Sequence, residues 1–219
     1  MPVLLFIDTS ATVATVGISC KGEIAGQAHH REAKEHASEI NVLIRQVLNA
    51  SGKSLREIDA ICVCAGPGSY TGLRVAMSTA KGIAFALNKP LMLFDRLTLI
   101  ALSVDDKDPD GHAVVLKARK EEYFCRVFDG AGLPVSPPAH LYEATLKEQV
   151  GQLPVITDDP LLPLPNHQIL LPPGFEIDLA QWSRIAEWRW KQSGFDDLAY
   201  SEPFYLKAAY TTTPTKNIL

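Results

Sequence analysis

The stretch CAGPGSYTGLRVAMSTAKGIAFAL, residues 64–87, decides the fold of this chain. It overlaps the apolar run AICVCA at 60–65, which is typical of a buried strand, and it continues as a helix to about Leu87. A strand, a glycine turn and a helix N-terminus favour an anion site, because backbone N–H groups and the helix dipole converge there. The glycines, however, are spaced one residue too widely for the dinucleotide fingerprint, and the Lys-Ser/Thr pair of a P-loop is missing. Two alternatives stay open: an anion site, and a turn that lets the helix pack closely on a sheet.

Apolar patterns on either side of this stretch predict further strands and helices. Three strands are expected before it, at VLLFI, VATVGIS and EIAGQAHH, and an apolar stripe predicts a helix over about 36–50 that Gly52 ends. SLRE at 54–57 has the spacing of a capping box. After the stretch we expect a strand at LMLF, a helix at RLTLIALSV, a hairpin across Lys120, a short strand at VITD and a tryptophan-bearing helix over 177–194. This order predicts an α/β fold with helices packed on sheets.

The acidic loop DDKDPDG at 105–111 is the best candidate for an internal boundary, because it contains Pro and Gly. We therefore expect two parts, residues 1–104 and residues 105–219. Within the second part, PVSPPAH and LLPLPNHQILLPPGF indicate Pro-rich connectors. The final TTTPTKNIL lacks apolar periodicity, which predicts a flexible tail.

Composition narrows the class of protein. The chain has 219 residues and 47% apolar content, which is normal for a packed core. Its formal net charge is −4 and it has no basic block, so direct, strong nucleic-acid binding is disfavoured. No apolar run reaches 18 residues, and the start MPVLLFIDTS lacks the basic region of a signal peptide. These features predict a cytoplasmic protein without a membrane segment.

Residue types that carry common chemistry do not form the expected motifs. Cys62 and Cys64 share one face of a predicted strand, where we expect them to pack as small hydrophobes and not to form a zinc site or disulfide. The six histidines form no H-E-x-x-H motif, and no G-x-S-x-G elbow is present, so zinc and serine hydrolases are disfavoured. A lone Asp8 before a hairpin is more typical of a turn than of a magnesium ligand.

The helix after the glycine loop is apolar nearly all round, which indicates burial on two sides. One alternative is a central core helix, and the other is a subunit interface, since we expect only one sheet to be available for packing. The apolar stripe of the helix at 36–50 favours an interface formed by both helices. The predicted contact residues are Ile40, Leu43, Val47, Leu73, Ala76, Met77, Ala80 and Ala84.

Several segments together resemble the bacterial TsaB family, also called YeaZ. They are LLFIDTS, AGPGSYTGLRVAMSTAKGIAFALNKPL, KARKEEYFCRVFD and EPFYLK, of which GPGSYTGLR is shared with the catalytic relative TsaD. The resemblance implies an actin, sugar kinase and Hsp70-like (ASKHA) fold, with two lobes of which the C-terminal one is reduced. It also implies that the phosphate-loop positions are vestigial. These positions are Asp8, Thr9, Ser10, Gly66, Gly68 and Ser69.

The sequence departs from the catalytic TsaD pattern at two places. By resemblance, Arg96 and Ile100 stand where two metal-binding histidines would be, and neither side chain can ligate a metal. About 90 residues remain after the predicted hairpin, without a second glycine-rich loop. We therefore expect no metal site, no catalytic residues and no cofactor required by this chain.

The resemblance implies a non-catalytic subunit for N6-threonylcarbamoyladenosine (t6A) modification at position 37 of tRNA. The implied partners are a TsaD-like catalytic subunit and a TsaE-like ATPase, with a homodimer when the chain is alone. Transfer RNA is contacted indirectly, and ATP is used or bound by the complex. The alternative is a degenerate ASKHA small-molecule kinase or ATPase. The older glycoprotease (M22) label of the family suggests a peptidase, but no nucleophile–base pair is visible in the sequence.

Overall fold

The computed structural model describes residues 1–105 and 108–206 and forms two five-stranded sheets. The first sheet has the order β3-β2-β1-β4-β5. Strands β1 to β3 form an antiparallel meander, while β4 and β5 run parallel to β1, so the five strands predicted in this half are confirmed. The bounds are β1 Val3–Asp8, β2 Ala14–Cys20, β3 Glu23–His30, β4 Ala60–Gly66 and β5 Leu91–Asp95.

Helices cover both faces of the first sheet. α1 (His36–Ser51) and α2 (Tyr70–Leu87) pack on one face, while α3 (Arg96–Ser103) and α5 (Leu179–Lys191) lie on the other. Gly52 ends α1 with a left-handed φ of 64°, as its glycine predicts. The predicted capping box is present in the short turn Leu55–Glu57. All of these helices lie where the sequence predicts them.

Alternation along the strands divides the first core into two layers. Leu5 and Ile7 of β1 face α1 and α2, whereas Phe6 faces α5 together with Cys62 and Cys64. The two cysteines are fully buried in this apolar layer, which confirms their predicted packing role, and all four cysteines of the chain are free. The layer also holds Trp182 of α5, whose ring centroid lies 5.2 Å from that of Phe6.

The second sheet has the order β10-β9-β6-β7-β8 and shorter outer strands. The predicted hairpin across Lys120 is confirmed as β6 and β7, and the strand predicted at VITD is β9. Three further elements were missed, of which β10 lies inside a predicted Pro-rich connector. The bounds are β6 His112–Arg119, β7 Glu122–Phe128, β8 Ala139–Tyr142, α4 Glu143–Val150, β9 Val155–Thr157 and β10 Gln168–Leu170.

Residues after 111 build the second sheet, while α2 packs on the first, as expected for this helix. α3 lies between the sheets: Leu99 belongs to the core of the first and Ile100 to the core of the second. A salt bridge from Arg126 of β7 to Asp95 before α3, with atoms 2.5 Å apart, also links the sheets. Both ions are largely buried, so we regard the bridge as a positional link and not as a large source of stability.

The segment after α5 returns to the first sheet. The N–H of Asp196 donates to the carbonyl of Leu91 at 2.9 Å, and the N–H of Phe204 donates to the carbonyl of Ala65 at 2.7 Å. The division at residues 104 and 105 stays a prediction, since it adjoins residues 106 and 107, which lie outside the described ranges. The flexible tail predicted at TTTPTKNIL also lies outside them. No helix in the described part of the chain is long and apolar enough to span a bilayer.

Candidate functional site

A turn after β1 lies directly against the glycine loop that joins β4 to α2. The Asp8 carboxylate accepts a hydrogen bond from the N–H of Ser10 at 2.8 Å, so Asp8 forms a turn as predicted. The carbonyl of Ser10 in turn accepts from the N–H of Ser69 at 2.8 Å. The Thr9 hydroxyl donates to the carbonyl of Gly72 at 2.6 Å. The turn and the loop therefore satisfy each other's polar groups.

Two glycines of the loop make this contact possible. A Cβ at Gly68 would lie 2.3 Å from the carbonyl oxygen of Ser10, and one at Gly72 would lie 1.9 Å from that of Thr9. Any side chain at either position would force the loop away from the turn. The geometry therefore favours the second alternative left open by the sequence, in which the glycines permit close packing.

The six predicted phosphate-loop positions lie in the turn after β1 or between the end of β4 and the N-cap of α2. The three residues of the turn are buried, with exposures of 5% or less. Ser69 is exposed, and its hydroxyl accepts from the N–H of Gly72 at 3.2 Å, which makes it the N-cap of α2. Gly66 has a φ of 110°, which favours glycine. A vestigial phosphate-binding role for Asp8, Thr9, Ser10, Gly66, Gly68 and Ser69 stays a prediction.

A cleft lies beside the turn, between the first sheet and the second. It consists of two hollows of about 620 and 270 Å³. Ser10, Ser69, Arg96 and Asp158 line both hollows. The resemblance identified Arg96 only as the residue that replaces a metal-binding histidine. Asp158 was not identified from the sequence. Its sequence signal is a carboxylate directly after the short strand β9, since side chains that follow a strand lie at the sheet edge.

The predicted contact residues on α1 and α2 face the wrong way for an interface. All eight have exposures of 4% or less, and all except Leu73 belong to the core between these helices and the first sheet. Side chains this buried offer another chain almost no surface, so the predicted list is corrected. The error has a simple cause: the apolar stripe that marks each helix is the stripe that packs on the sheet. The eight are Ile40, Leu43, Val47, Leu73, Ala76, Met77, Ala80 and Ala84.

The outward side of α1 and α2 carries small residues and one large apolar residue. The Phe85 side chain is 80% exposed. Gly82 lies on the same exposed side of α2, and a Cβ added there would meet no atom within 4 Å. We call this surface the outer helix face. Its exposed residues include Ala37, Asn41, Thr71, Arg74, Ser78, Gly82 and Phe85.

Two tyrosines and an arginine form a cluster at the N-terminal end of the outer helix face. The ring centroids of Tyr70 and Tyr205 are 5.1 Å apart, and the guanidinium carbon of Arg74 lies 4.1 Å from the centroid of Tyr70. Arg74 Nε donates to the Tyr205 hydroxyl at 3.2 Å, and its Nη2 contacts the hydroxyl of Tyr70. The cluster therefore fixes three partly exposed side chains in one arrangement.

The buried thiols are poor nucleophiles. Burial raises the pKa of the Cys62 and Cys64 thiols well above the usual range and raises that of Cys125 to about 12. These thiols stay protonated near neutral pH, and the thiolate is the reactive form. Within residues 1–105 and 108–206, no group of three or more His, Cys, Asp or Glu side chains is placed to hold a metal ion.

Two sheets, each with helices packed against it and with a cleft between them, give the two-part α/β architecture that the sequence predicts. Solved structures with the same architecture confirm the fold. YeaZ from Pseudomonas aeruginosa superposes with a TM-score of 0.77 at 23% identity, covering 94% of this chain and all of that chain. A Pseudomonas aeruginosa protein described as similar to the peptidase YeaZ gives a TM-score of 0.80 at 22% identity, with the same coverage.

Sequence comparisons show which proteins the chain resembles. Residues 23–131 match the family model of TsaD, tRNA N6-adenosine threonylcarbamoyltransferase. The tRNA threonylcarbamoyladenosine biosynthesis protein TsaB of Haemophilus influenzae is 33% identical over 128 residues, covering 57% of this chain and 53% of that protein. Escherichia coli TsaB is 31% identical over 99 residues, covering 45% and 42%. The chain thus spans about half the length of the curated relatives that it matches. The chain is similar to TsaB and TsaD proteins over these segments.

Proposed function

We propose that this chain is a non-catalytic subunit in the formation of t6A on tRNA. It pairs with a TsaD-like catalytic subunit, acts together with a TsaE-like ATPase, and pairs with a second copy of itself when the catalytic subunit is absent. Transfer RNA is contacted through the complex in the cytoplasm, and ATP is used or bound by the complex and not required by this chain. The names of its relatives support the pathway.

The observation that carries the proposed pairing is Gly82. Glycine inside a helix costs about 1 kcal/mol relative to alanine. Nothing in the described monomer requires it, because a Cβ would meet no atom within 4 Å and the backbone is helical. A glycine on an exposed helix face permits another backbone to approach closely. The outer helix face is therefore shaped for contact with a second polypeptide.

Larger side chains around Gly82 provide the apolar contacts that such an interface needs. Phe85 lies one helical turn away and is 80% exposed. The cluster of Tyr70, Arg74 and Tyr205 lies at the other end of the exposed side of α2. Exposed aromatic residues and arginine are the types that contribute most to binding at interfaces. The corrected contact residues are thus exposed neighbours of the eight predicted from the sequence.

Two features of the monomer support a role without chemistry of its own. The N–H of Ser69 in the glycine loop is used by the Asp8–Ser10 turn, which reduces what the loop can offer a phosphate group. The thiols of Cys62, Cys64 and Cys125 are buried and protonated. The catalytic groups of the modification are therefore assigned to the partner.

The proposal is tested by t6A formation in a reconstituted reaction with the TsaD-like and TsaE-like proteins, the adenylate-forming enzyme, threonine, bicarbonate, ATP and tRNA. Product should require both this chain and the TsaD-like protein. Gly82→Arg should lower product and co-elution with the TsaD-like protein by about tenfold or more, because it places a long charged side chain at the interface. Ala144→Arg makes the same change on an exposed site of α4 and should have no effect.

Three outcomes would contradict the proposal. Full product without the chain would exclude a required subunit, and product without the TsaD-like protein would exclude a non-catalytic role. Normal co-elution of the Gly82→Arg variant would exclude the outer helix face as the interface. Tight binding of Mg-ATP to the isolated chain by calorimetry would instead favour the kinase or ATPase alternative.

A further inference from the structure

An arginine without a hydrogen-bond acceptor lies in the cleft between the two sheets. Arg96 is the first residue of α3, and its Nε is buried without a partner. Within residues 1–105 and 108–206 its guanidinium makes no hydrogen bond and no ion pair. Arg126 and Arg189, by contrast, each contact a carboxylate, at 2.5 and 2.6 Å. Arginine stays charged at all relevant pH values, and its buried donors need an acceptor.

A carboxylate faces the same space. Asp158 lines both hollows with Arg96, yet among the described residues the two side chains form no ion pair. Asp158 is exposed at the cleft surface, where its carboxylate accepts a hydrogen bond from the backbone N–H of Lys117 at 2.8 Å and partial desolvation raises its pKa. The ammonium group of Lys117 pairs with Asp159 at 2.9 Å and so is engaged elsewhere. Opposite charges thus face one cleft without direct contact.

The walls of the cleft differ in polarity. The larger hollow is bounded by apolar residues that include Leu170, Leu171, Pro172 and Phe175. The edge shared by both hollows carries Ser10 and Ser69. The larger hollow has a volume of about 620 Å³, which is sufficient for a metabolite-sized molecule. The larger hollow therefore has room for an apolar group next to the two charged side chains.

We propose that this cleft binds a small molecule carrying a carboxylate and a neighbouring ammonium or hydroxyl group, of the α-amino acid or hydroxy acid class. The carboxylate accepts hydrogen bonds from Arg96, whose planar guanidinium matches two carboxylate oxygens. The ammonium or hydroxyl group donates to Asp158. The apolar part of the molecule occupies the larger hollow. This inference does not depend on the proposed t6A role.

The test is binding of a compound panel to the full chain, by thermal shift and then by calorimetry. The panel contains α-amino acids, matched hydroxy acids, acetate, inorganic phosphate and Mg-ATP. We expect an amino or hydroxy acid to bind. Arg96→Gln should weaken this binding about tenfold or more, because a charged hydrogen-bond donor is lost. Arg184→Gln removes an exposed guanidinium from α5 and should bind as the unchanged chain does.

The Asp158→Asn variant tests the contact with the ammonium or hydroxyl group separately from the contact with the carboxylate. The variant should bind the amino or hydroxy acid more weakly but bind acetate as the unchanged chain does. The proposal is overturned if no amino or hydroxy acid binds, or if Arg96→Gln binds it as tightly as the unchanged chain. Acetate or phosphate binding as tightly as the best amino or hydroxy acid would show a simple anion site and also overturn it. Because Arg96 makes no hydrogen bond to a described residue, Arg96→Gln should retain the native circular dichroism spectrum.

Discussion

The inner and outer sides of α2 carry residues of similar size in opposite surroundings. Ala76, Ala80 and Ala84 on the inner side are fully buried against the first sheet. Ser78 and Gly82 on the outer side are exposed. Small residues on the inner side bring the helix close to the sheet, whereas small residues on the outer side have no such role in the monomer. Residue size alone therefore does not show which side of a helix contacts a partner. The burial of each residue in the monomer is needed to identify that side.

The largest expected change in stability comes from a substitution on the inner side of α2. Ala80→Arg forces a long charged side chain into a fully packed layer, and we expect a loss of stability of more than about 4 kcal/mol. Ser78→Arg, two residues away on the exposed side, should change stability by less than about 0.5 kcal/mol. Urea unfolding of both variants checks the contrast. Equal stability of the two would show that the sides of α2 are assigned wrongly.

A second prediction concerns the contact of α2 with the turn after β1. Gly72→Ala places a Cβ 1.9 Å from the carbonyl oxygen of Thr9 in the unrelaxed structure. The loop has to move away, and we expect a loss of about 2–3 kcal/mol, the usual cost of overpacking. Thermal unfolding provides the measurement. An unchanged melting temperature would mean that the turn and the loop are not packed as described.

A smaller effect than these two losses is expected on the outer side of α2, and it has the opposite sign. Gly82→Ala adds a Cβ in open space and should stabilise the monomer by up to about 1 kcal/mol. For a chain of this length the melting temperature should rise by roughly 2–4 °C. The scan is made at a protein concentration where the chain is monomeric. A lower melting temperature would show that Gly82 is required within the monomer after all.

Periodicity in the sequence predicted most strands and helices but not their outward sides. The stripe of α1 and the strands of the first sheet are long apolar patterns, which identify secondary structure well. α4 was missed because only Leu146 and Val150 along it are buried, which leaves little pattern. β10 has three residues, Gln168–Leu170, near several prolines, and such a segment takes its form from pairing with β9.

The candidate site was predicted in part. The sequence marked the glycine loop and Asp8, because turn residues carry a local signal. It did not predict that Gly68 and Gly72 approach the backbone of Ser10 and Thr9, since that contact joins segments about 60 residues apart. The position of Asp158 in the same cleft as Arg96 depends on the second sheet, whose topology the sequence left open.

Trp182 has a consequence for how the chain comes to be folded. Its ring lies 5.2 Å from that of Phe6 and 5.7 Å from that of Phe94, in the layer beneath α5. A ribosome releases β1 first and α5 only after most of the chain has been made. The part of the first sheet that packs against Trp182 therefore stays uncovered until α5 has been made. Until then this exposed apolar surface is available for binding by chaperones and for aggregation with other nascent chains.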